Sequence, residues 1–242
     1  MTERAEQNPS FGDFSGVSEY MGIDVDTKDC TAVTDAELEE MADLCAESSN
    51  PFSIGLLSKQ TEEWVLASVA RENGKLRGFT FSTLERIGGT PCVLVGMGSV
   101  VRNSKRDTVL RALVQEQMHR ALMAFPDEDV LFGMQLNDAA GYDFFKSCVD
   151  VNPRPDHKAN GEERAWGRRV AKRVGIGASR YDDRSFIARG DGSQPRVFDH
   201  EALKPEKIDD AIAAQFADVD VAEGDSLIVA GWVNADDLMK LG

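Results

Sequence analysis

The strongest constraint on the fold is a strand–helix–strand pattern over residues 92–136. Residues 92–101 and 130–136 are near-continuous apolar runs, which are typical of strands buried on both faces of a sheet. Between them, apolar residues recur at spacings of three, four and seven from Leu110 to Phe125, and Pro126 follows. This spacing predicts a long helix that ends before the proline. Two such strands joined by a helix form a right-handed parallel crossover, so the chain is expected to be an α/β protein with a mixed sheet.

The residues before this unit predict a hairpin. Residues 64–71 and 76–85 favour strands, and Asn73-Gly74 lies in the turn between them. Asn-Gly is a strong hairpin signal because both residues tolerate a positive φ. A helix is expected at residues 34–48 and a short one at 137–146. Asp107 or Thr108 is expected to cap the long helix.

This order of elements is similar to that of the GNAT-type acyl-CoA N-acyltransferase superfamily. The family signature Asn-x-x-Ala-x-x-x-Tyr-x-Lys-x-Gly-Phe is matched by Asn137, Ala140 and Lys146, while Phe144 stands in the place of the tyrosine. The resemblance covers residues 30–150 and implies a GNAT-like acyl-CoA N-acyltransferase fold. Another α/β domain with a parallel strand–helix–strand unit is the alternative.

In that family the loop after the fourth strand has the pattern Gln/Arg-x-x-Gly-x-Gly/Ala and holds the pyrophosphate of acetyl-CoA. Backbone amides at a helix N-terminus favour an anion there. Here Lys105 takes the Gln/Arg place, and Thr108 and Leu110 take the glycine places. The resemblance implies acetyl-CoA as the cofactor, held by Val100, Val101, Lys105, Arg106, Thr108, Val109 and Asn137.

Catalytic residues follow the family pattern less closely. The family's tyrosine protonates the departing thiolate, which Phe144 cannot do. The usual general base is a carboxylate on or near the fourth strand, and none occurs between residues 87 and 106, so Glu85 is the nearest candidate. Two functions therefore stay open. The chain is either an N-acyltransferase that moves an acetyl group to an unknown amine, or a catalytically inactive GNAT-fold scaffold in a multiprotein assembly such as a virus particle.

Charge is distributed unevenly along the chain. Residues 1–63 carry 3 Lys+Arg against 15 Asp+Glu, residues 199–242 carry 3 against 11, and the net charge is −15. This acidity argues against a general nucleic-acid binder, since phosphate contacts dominate such affinity. No apolar run is long enough for a membrane span and no secretory signal is present. We expect a cytoplasmic protein, or one inside a larger assembly.

Three regions are predicted from these patterns. Residues 1–29 form an N-terminal arm whose aromatic residues dock onto a partner, residues 30–150 form the GNAT-like domain, and residues 151–242 form a small α+β appendage. The appendage begins near Pro153 and Pro155, which restrain their predecessors from helix. It contains an arginine-rich helix at 162–174, which either contacts phosphate or an acidic partner, or pairs with the protein's own acidic ends. No cysteine or histidine has metal-ligand spacing, so no metal is expected.

Overall fold

A computed structural model of the protein describes residues 17–20 and 22–240, in which eleven strands form one mixed sheet. The strands are β1 (Val17–Tyr20), β2 (Ile23–Asp29), β3 (Leu66–Glu72), β4 (Lys75–Ile87), β5 (Thr90–Val100), β6 (Val130–Leu136), β7 (Val149–Asn152), β8 (Tyr181–Asp182), β9 (Ile187–Ala188), β10 (Phe198–Asp199) and β11 (Ser226–Val233). The α-helices of the same residues are α1 (Asp35–Cys45), α2 (Ile54–Glu63), α3 (Arg106–Ala124), α4 (Gly161–Arg173), α5 (Asp210–Ala213) and α6 (Ala235–Met239).

The strand order is β1-β2-β3-β4-β5-β6-β11-β9-β8, with β7 paired to β11 and β10 paired to β5. Strands β1 to β5 are antiparallel neighbours, whereas β5 and β6 are parallel and α3 connects them. The predicted mixed sheet and parallel crossover are therefore confirmed. This element order and the parallel β5–β6 crossover are those of the predicted GNAT-like fold.

The predicted turn at Asn73-Gly74 and a second turn at Gly88-Gly89 are both tight hairpins. Asn73 and Gly74 have φ values of 50° and 78°, and Gly88 and Gly89 have values of 61° and 92°. Two successive residues with positive φ form the turn that matches the twist of antiparallel strands. These turns fix the register of β3, β4 and β5, which form the platform of the sheet.

Helices cover both faces of this platform. Alternation along β5 places Val93 and Val95 in the core cluster with α3, and Leu94 in the opposite cluster with Val170 of α4. Beneath α3 the side chain of Gln117 donates to Ser68 Oγ at 3.0 Å. Such a buried polar contact holds the helix in one rotation over the sheet, which in turn fixes where its N-terminus lies.

The helix start differs from the prediction. Helix α3 begins at Arg106 with Lys105 as its N-cap, and no side chain caps it. The expected caps Asp107 and Thr108 lie inside the first turn instead, so the prediction of either residue as the cap was wrong. Within this first turn the amides of Arg106 and Thr108 donate to the carbonyls of Asn103 and Lys105, at 3.1 and 3.0 Å, and the positive end of the helix dipole lies at the same place.

The predicted regions share one sheet. Strand β2, which lies before residue 30 in the predicted arm, pairs with β3. Strand β11, from the predicted appendage, lies between β6 and β9. Sequence order does not reveal such a return, because a late strand can pair far back in the chain. Within the predicted arm, residues 17–20 form β1, whereas Phe11 and Phe14 lie outside the described residues. In the described part of the chain no helix is long and apolar enough to cross a membrane.

Candidate functional site

Strands β5 and β6 separate halfway along their length. They pair from Cys92–Leu131 to Val95–Met134, whereas β5 continues to Val100 and β6 to Leu136. The separation coincides with an irregularity between β4 and β5 next to Val95. We call the space beyond the Val95–Met134 pair the β5–β6 gap. Since α3 follows β5 directly, its N-terminal amides lie at the same end of the sheet.

A segment from the C-terminal third of the chain fills this gap. Strand β10 pairs in parallel with β5, with Phe198 opposite Gly98 and Asp199 opposite Ser99, and it also contacts β6. Phe198 is 1% exposed, and its ring lies 5.8 Å from that of Phe144. A Cβ on Gly98 would lie 2.7 Å from the Phe198 ring, so a glycine is needed for this close approach. We call residues 197–201 the plug segment.

Ion pairs hold the plug segment at the mouth of the gap. Arg102 Nη2 donates to both carboxylate oxygens of Asp199, at 2.9 and 2.8 Å, and Ser99 Oγ donates to Asp199 at 3.1 Å. Arg102 also pairs with Glu201, and Arg106 donates to the backbone carbonyl of Glu201. Burial raises the pKa of the Asp199 carboxyl above its usual value. The two arginines before and at the start of α3 thus both donate to the protein's own plug segment.

His200 in the plug segment is buried without a partner. It is 2% exposed, and neither ring nitrogen makes a hydrogen bond to any group among the described residues. Burial, together with the nearby charges of Arg106, Lys146 and Arg102, lowers the pKa of His200 to about 3, so the ring is neutral. A buried polar group without a partner is uncommon and often marks a functional site.

His200 also forms a cluster that the sequence did not reveal. Its ligand atoms and those of Asp107 and Asp143 lie within 4.8 Å of one another, although the three residues are far apart in the chain. Arg106 and Lys146 lie beside these carboxylates, at 3.5 Å from Asp107 and 3.0 Å from Asp143. These cations and the positive end of α3 oppose a metal ion here.

A cavity of about 970 Å³ opens beside the plug segment. The start of α3, the 3-10 helix Ala139–Phe145 and residues 202–212 form its walls. The charged part of the wall carries five cations and three acids, and the apolar part is built mainly by aromatic and aliphatic side chains. This combination suits a ligand with both phosphate groups and an apolar body. The charged residues are Arg106, Lys146, Arg154, Lys204, Lys207, Asp107, Asp143 and Asp209.

The predicted cofactor residues have different surroundings. Arg106 is 7% exposed and lines the cavity, whereas Lys105 is exposed and pairs with Glu72. Asn137 directly follows β6, and its buried Oδ1 has no hydrogen-bond partner among the described residues. Because β5 and β6 are parallel, Asn137 lies at the same end of the sheet as Val100.

The remaining predicted residues of this group belong mainly to the core. Val109 and Leu110 are buried in the cluster under α3, Thr108 is half-buried and Val100 is buried. Leu110, which takes a glycine place in the family pattern, therefore packs into the protein. The amide of Val101 donates to the carbonyl of Arg77 at 2.7 Å, which extends the pairing with β4.

Glu85, the predicted general base, pairs with the arginine-rich helix. Arg173 Nε donates to Glu85 Oε1 at 3.0 Å. In the sheet Glu85 lies opposite Cys92, and the gap begins opposite Ser82. Glu85 and Ser82 are three residues apart on β4, so Glu85 lies roughly 10 Å along the strand from the start of the gap. A catalytic role of Glu85 stays a prediction.

The two aromatic residues near the family's tyrosine position are both occupied in packing or hydrogen bonding. Phe144 is buried against Phe132 and Phe198. The Tyr142 hydroxyl donates to the carbonyl of Pro153 at 2.7 Å, and burial raises its pKa above the usual value. In this arrangement the Tyr142 hydroxyl therefore does not take over the proton-donor role of the tyrosine that the family has at the position of Phe144.

The arginines of α4 pair within the chain. Arg168 pairs with Asp183, Arg173 with Glu85, and the Arg169 guanidinium lies 4.4 Å from the centre of the Trp166 ring. Asp183 and Glu85 lie in the middle of the sequence and not in its acidic ends. The arginines of α4 thus pair with acidic residues of the same chain, but these acids do not belong to its acidic ends.

No protein-family model matches the sequence, and no curated protein shows significant similarity to it. Several solved structures of N-acetyltransferases are similar in fold. The ribosomal-protein-S18-alanine N-acetyltransferase of Escherichia coli has a TM-score of 0.42 and 12% identity, covering 87% of this chain and 94% of that one. Ard1 of Thermoplasma volcanium has a TM-score of 0.38 and 14% identity, covering 53% and 86%. Naa50 of Arabidopsis thaliana, in complex with the bisubstrate analogue CoA-Ac-MVNAL, has a TM-score of 0.34 and 15% identity, covering 54% and 87%.

Proposed function

We propose that the protein is a GNAT-like N-acyltransferase that moves an acetyl group from acetyl-CoA to an amine. The observation that carries this proposal is the separation of the parallel strands β5 and β6 next to the N-terminus of α3. The thioester arm would lie in the β5–β6 gap, and the phosphates would meet the cations of the neighbouring cavity. The family resemblance supports the same placement.

In this arrangement the residues have separate tasks. Arg106 would bind a phosphate with the amides of α3, since an anion is favoured at a helix N-terminus. Asn137, whose buried Oδ1 has no described partner, would accept a hydrogen bond from the amide of the cofactor arm. The amine would attack the thioester carbonyl directly and the C–S bond would break, so that CoA would leave as a thiolate that takes a proton from water. Glu85 is the proposed acceptor of the amine proton.

A catalytically inactive scaffold is the second candidate. It is supported by the plug segment, because Phe198 is part of the core and fits against Gly98 and Phe144. In such a protein the gap would stay closed and the fold would serve a multiprotein assembly. The partner would dock onto the N-terminal arm, and either candidate would act in the cytoplasm or inside a larger assembly.

Calorimetric titration with acetyl-CoA tests the first proposal. We expect binding by the wild type that weakens at least tenfold in Arg106→Gln, since Arg106 lines the cavity at the start of α3. The control is Arg111→Gln, an exposed arginine of the same helix, which should bind as the wild type does. If neither the wild type nor a variant with a released plug segment binds at millimolar ligand, the scaffold is the better description.

A further inference from the structure

We infer that the plug segment is an internal mimic of acyl-CoA, which closes the β5–β6 gap until the cofactor displaces it. This inference rests on the proposed function, because it concerns control of the same site. Residues 197–201 then compete with the cofactor for the gap and are not a permanent part of the core.

The first part of the mimicry is made by the backbone. Strand β10 pairs with β5 at only two positions, Phe198–Gly98 and Asp199–Ser99, and Gly98 N donates to the carbonyl of Val197 at 3.4 Å. A cofactor arm with amide groups would use the same β5 edge. Both cannot occupy it together, because β10 lies against β5 and contacts β6 as well.

The second part is made by charge. Asp199 and Glu201 place two carboxylates on Arg102, and the carbonyl of Glu201 accepts from Arg106. Arginine binds phosphate and carboxylate with the same fork of donors. Phosphates at the start of α3 would therefore compete with the plug segment for the same two guanidinium groups.

The closed state carries costs that its release would relieve. His200 is buried with both ring nitrogens unpaired among the described residues. Burial also raises the pKa of the Asp199 carboxyl, although Arg102 and Ser99 both donate to it. Unpaired buried polar groups oppose the state that buries them. Residues 189–197 and 200–204, on either side of β10, form neither helix nor strand. Movement of the plug segment therefore does not require a helix or strand in these flanking residues to break.

The experiment compares acetyl-CoA affinity and hydrogen exchange in three variants. Asp199→Asn and Glu201→Gln each remove one carboxylate from Arg102, and Glu201→Gln is the milder change because that side chain is partly exposed. The control is Glu206→Gln, an exposed acid near the same cavity. Calorimetry gives the affinity, mass spectrometry gives the exchange of the amides of residues 197–201, and circular dichroism confirms the fold.

We expect acetyl-CoA to bind at least tenfold more tightly to Asp199→Asn and Glu201→Gln than to the wild type and Glu206→Gln. Exchange at residues 197–201 should be faster in the two variants, and faster in the wild type when the cofactor is added. Equal affinity in all four proteins, with exchange at 197–201 unchanged by the cofactor, would overturn the competition but leave the proposed function intact. Faster exchange in the variants without any binding would overturn the proposed function, and the competition with it.

Discussion

At the scale of single residues, the buried imidazole of His200 is the clearest departure from ordinary core packing. It lies between the cations of Arg102, Arg106 and Lys146 and has no hydrogen-bond partner among the described residues. An unpaired buried polar group costs about 1–3 kcal/mol relative to a paired or apolar one. The residue thus opposes the closed state of which it is part.

Replacing this imidazole by an apolar side chain of similar size should stabilise the closed protein. We expect His200→Leu to raise the free energy of unfolding by about 1 kcal/mol, and to weaken acetyl-CoA binding. Urea unfolding measures the first effect and calorimetry the second. His119→Leu, at an exposed position of α3, should change stability by no more than about 0.5 kcal/mol. A less stable His200→Leu would show that the imidazole has a partner.

A second prediction at the residue scale concerns Gly96 of β5. A Cβ at Gly96 would lie 2.2 Å from the Trp64 ring, so Gly96→Ala must displace the indole. We expect a loss of about 1–3 kcal/mol, as for overpacked cores. Gly55→Ala is the matched control, since the residue is in α2 and no atom of the described residues lies within 4 Å of its added Cβ. Gly55→Ala should raise the free energy of unfolding by about 0.5–1 kcal/mol. Thermal unfolding of both variants measures the two effects.

At the scale of elements, a buried carboxylate joins the start of β11 to the end of β9. Asp225 is 3% exposed and accepts from the amide of Gly190 at 2.8 Å and from Arg189. These hydrogen bonds hold the pKa of the Asp225 carboxyl below its usual value although burial alone would raise it. The contact fixes the turn that brings β11 back into the sheet.

Asp225→Asn should lower the free energy of unfolding by about 2 kcal/mol at neutral pH, where the carboxylate is charged. Because the folded pKa is depressed, the stabilisation is complete above the unfolded pKa of about 3.9 and is lost as the pH falls through the folded pKa. The difference between wild type and variant should therefore be full at pH 6 and smaller at pH 3, as measured by urea unfolding. Asp209→Asn, an exposed residue, serves as the control. A difference that grew at pH 3 would contradict this account.

Elements with strong local signals were predictable from the sequence, and those defined by distant partners were not. The apolar run of β6 matches the predicted residues 130–136, and Asn73-Gly74 gave the hairpin. Residues 205–216, by contrast, form a broken helix, with α5 between two 3-10 helices. Nothing in the sequence around Phe198 indicates that β10 pairs with a strand 100 positions earlier.

The same division holds for the site. Arg106 and Asn137 followed from the family pattern, and both lie at the end of the sheet where β5 and β6 separate. The role of Arg102 in holding Asp199 was missed, because an ion pair across about 100 residues leaves no periodic signal. The cluster of Asp107, Asp143 and His200 was missed for the same reason.

At the scale of the whole molecule, the net charge of −15 opposes compaction. Exposed ion pairs contribute little to stability, whereas like charges repel over the whole surface. We expect the melting temperature to rise by a few degrees, on the order of 1 kcal/mol of stability, as NaCl increases from roughly 20 to 300 mM. Differential scanning calorimetry checks this. A melting temperature that fell with salt would show that exposed pairs such as Arg86–Glu128 dominate over the general repulsion.

The covalent tether of the plug segment has a consequence for any assay of this protein. A competitor in the same chain is present at a fixed local concentration, commonly in the millimolar range, however dilute the protein is. The apparent dissociation constant of the cofactor equals its intrinsic value divided by the open fraction. If about 1% of molecules are open, an intrinsic value of about 1 μM is measured as about 100 μM. A titration at low micromolar acetyl-CoA would then detect little binding to the wild type, whereas the same chain with Glu201→Gln would bind measurably.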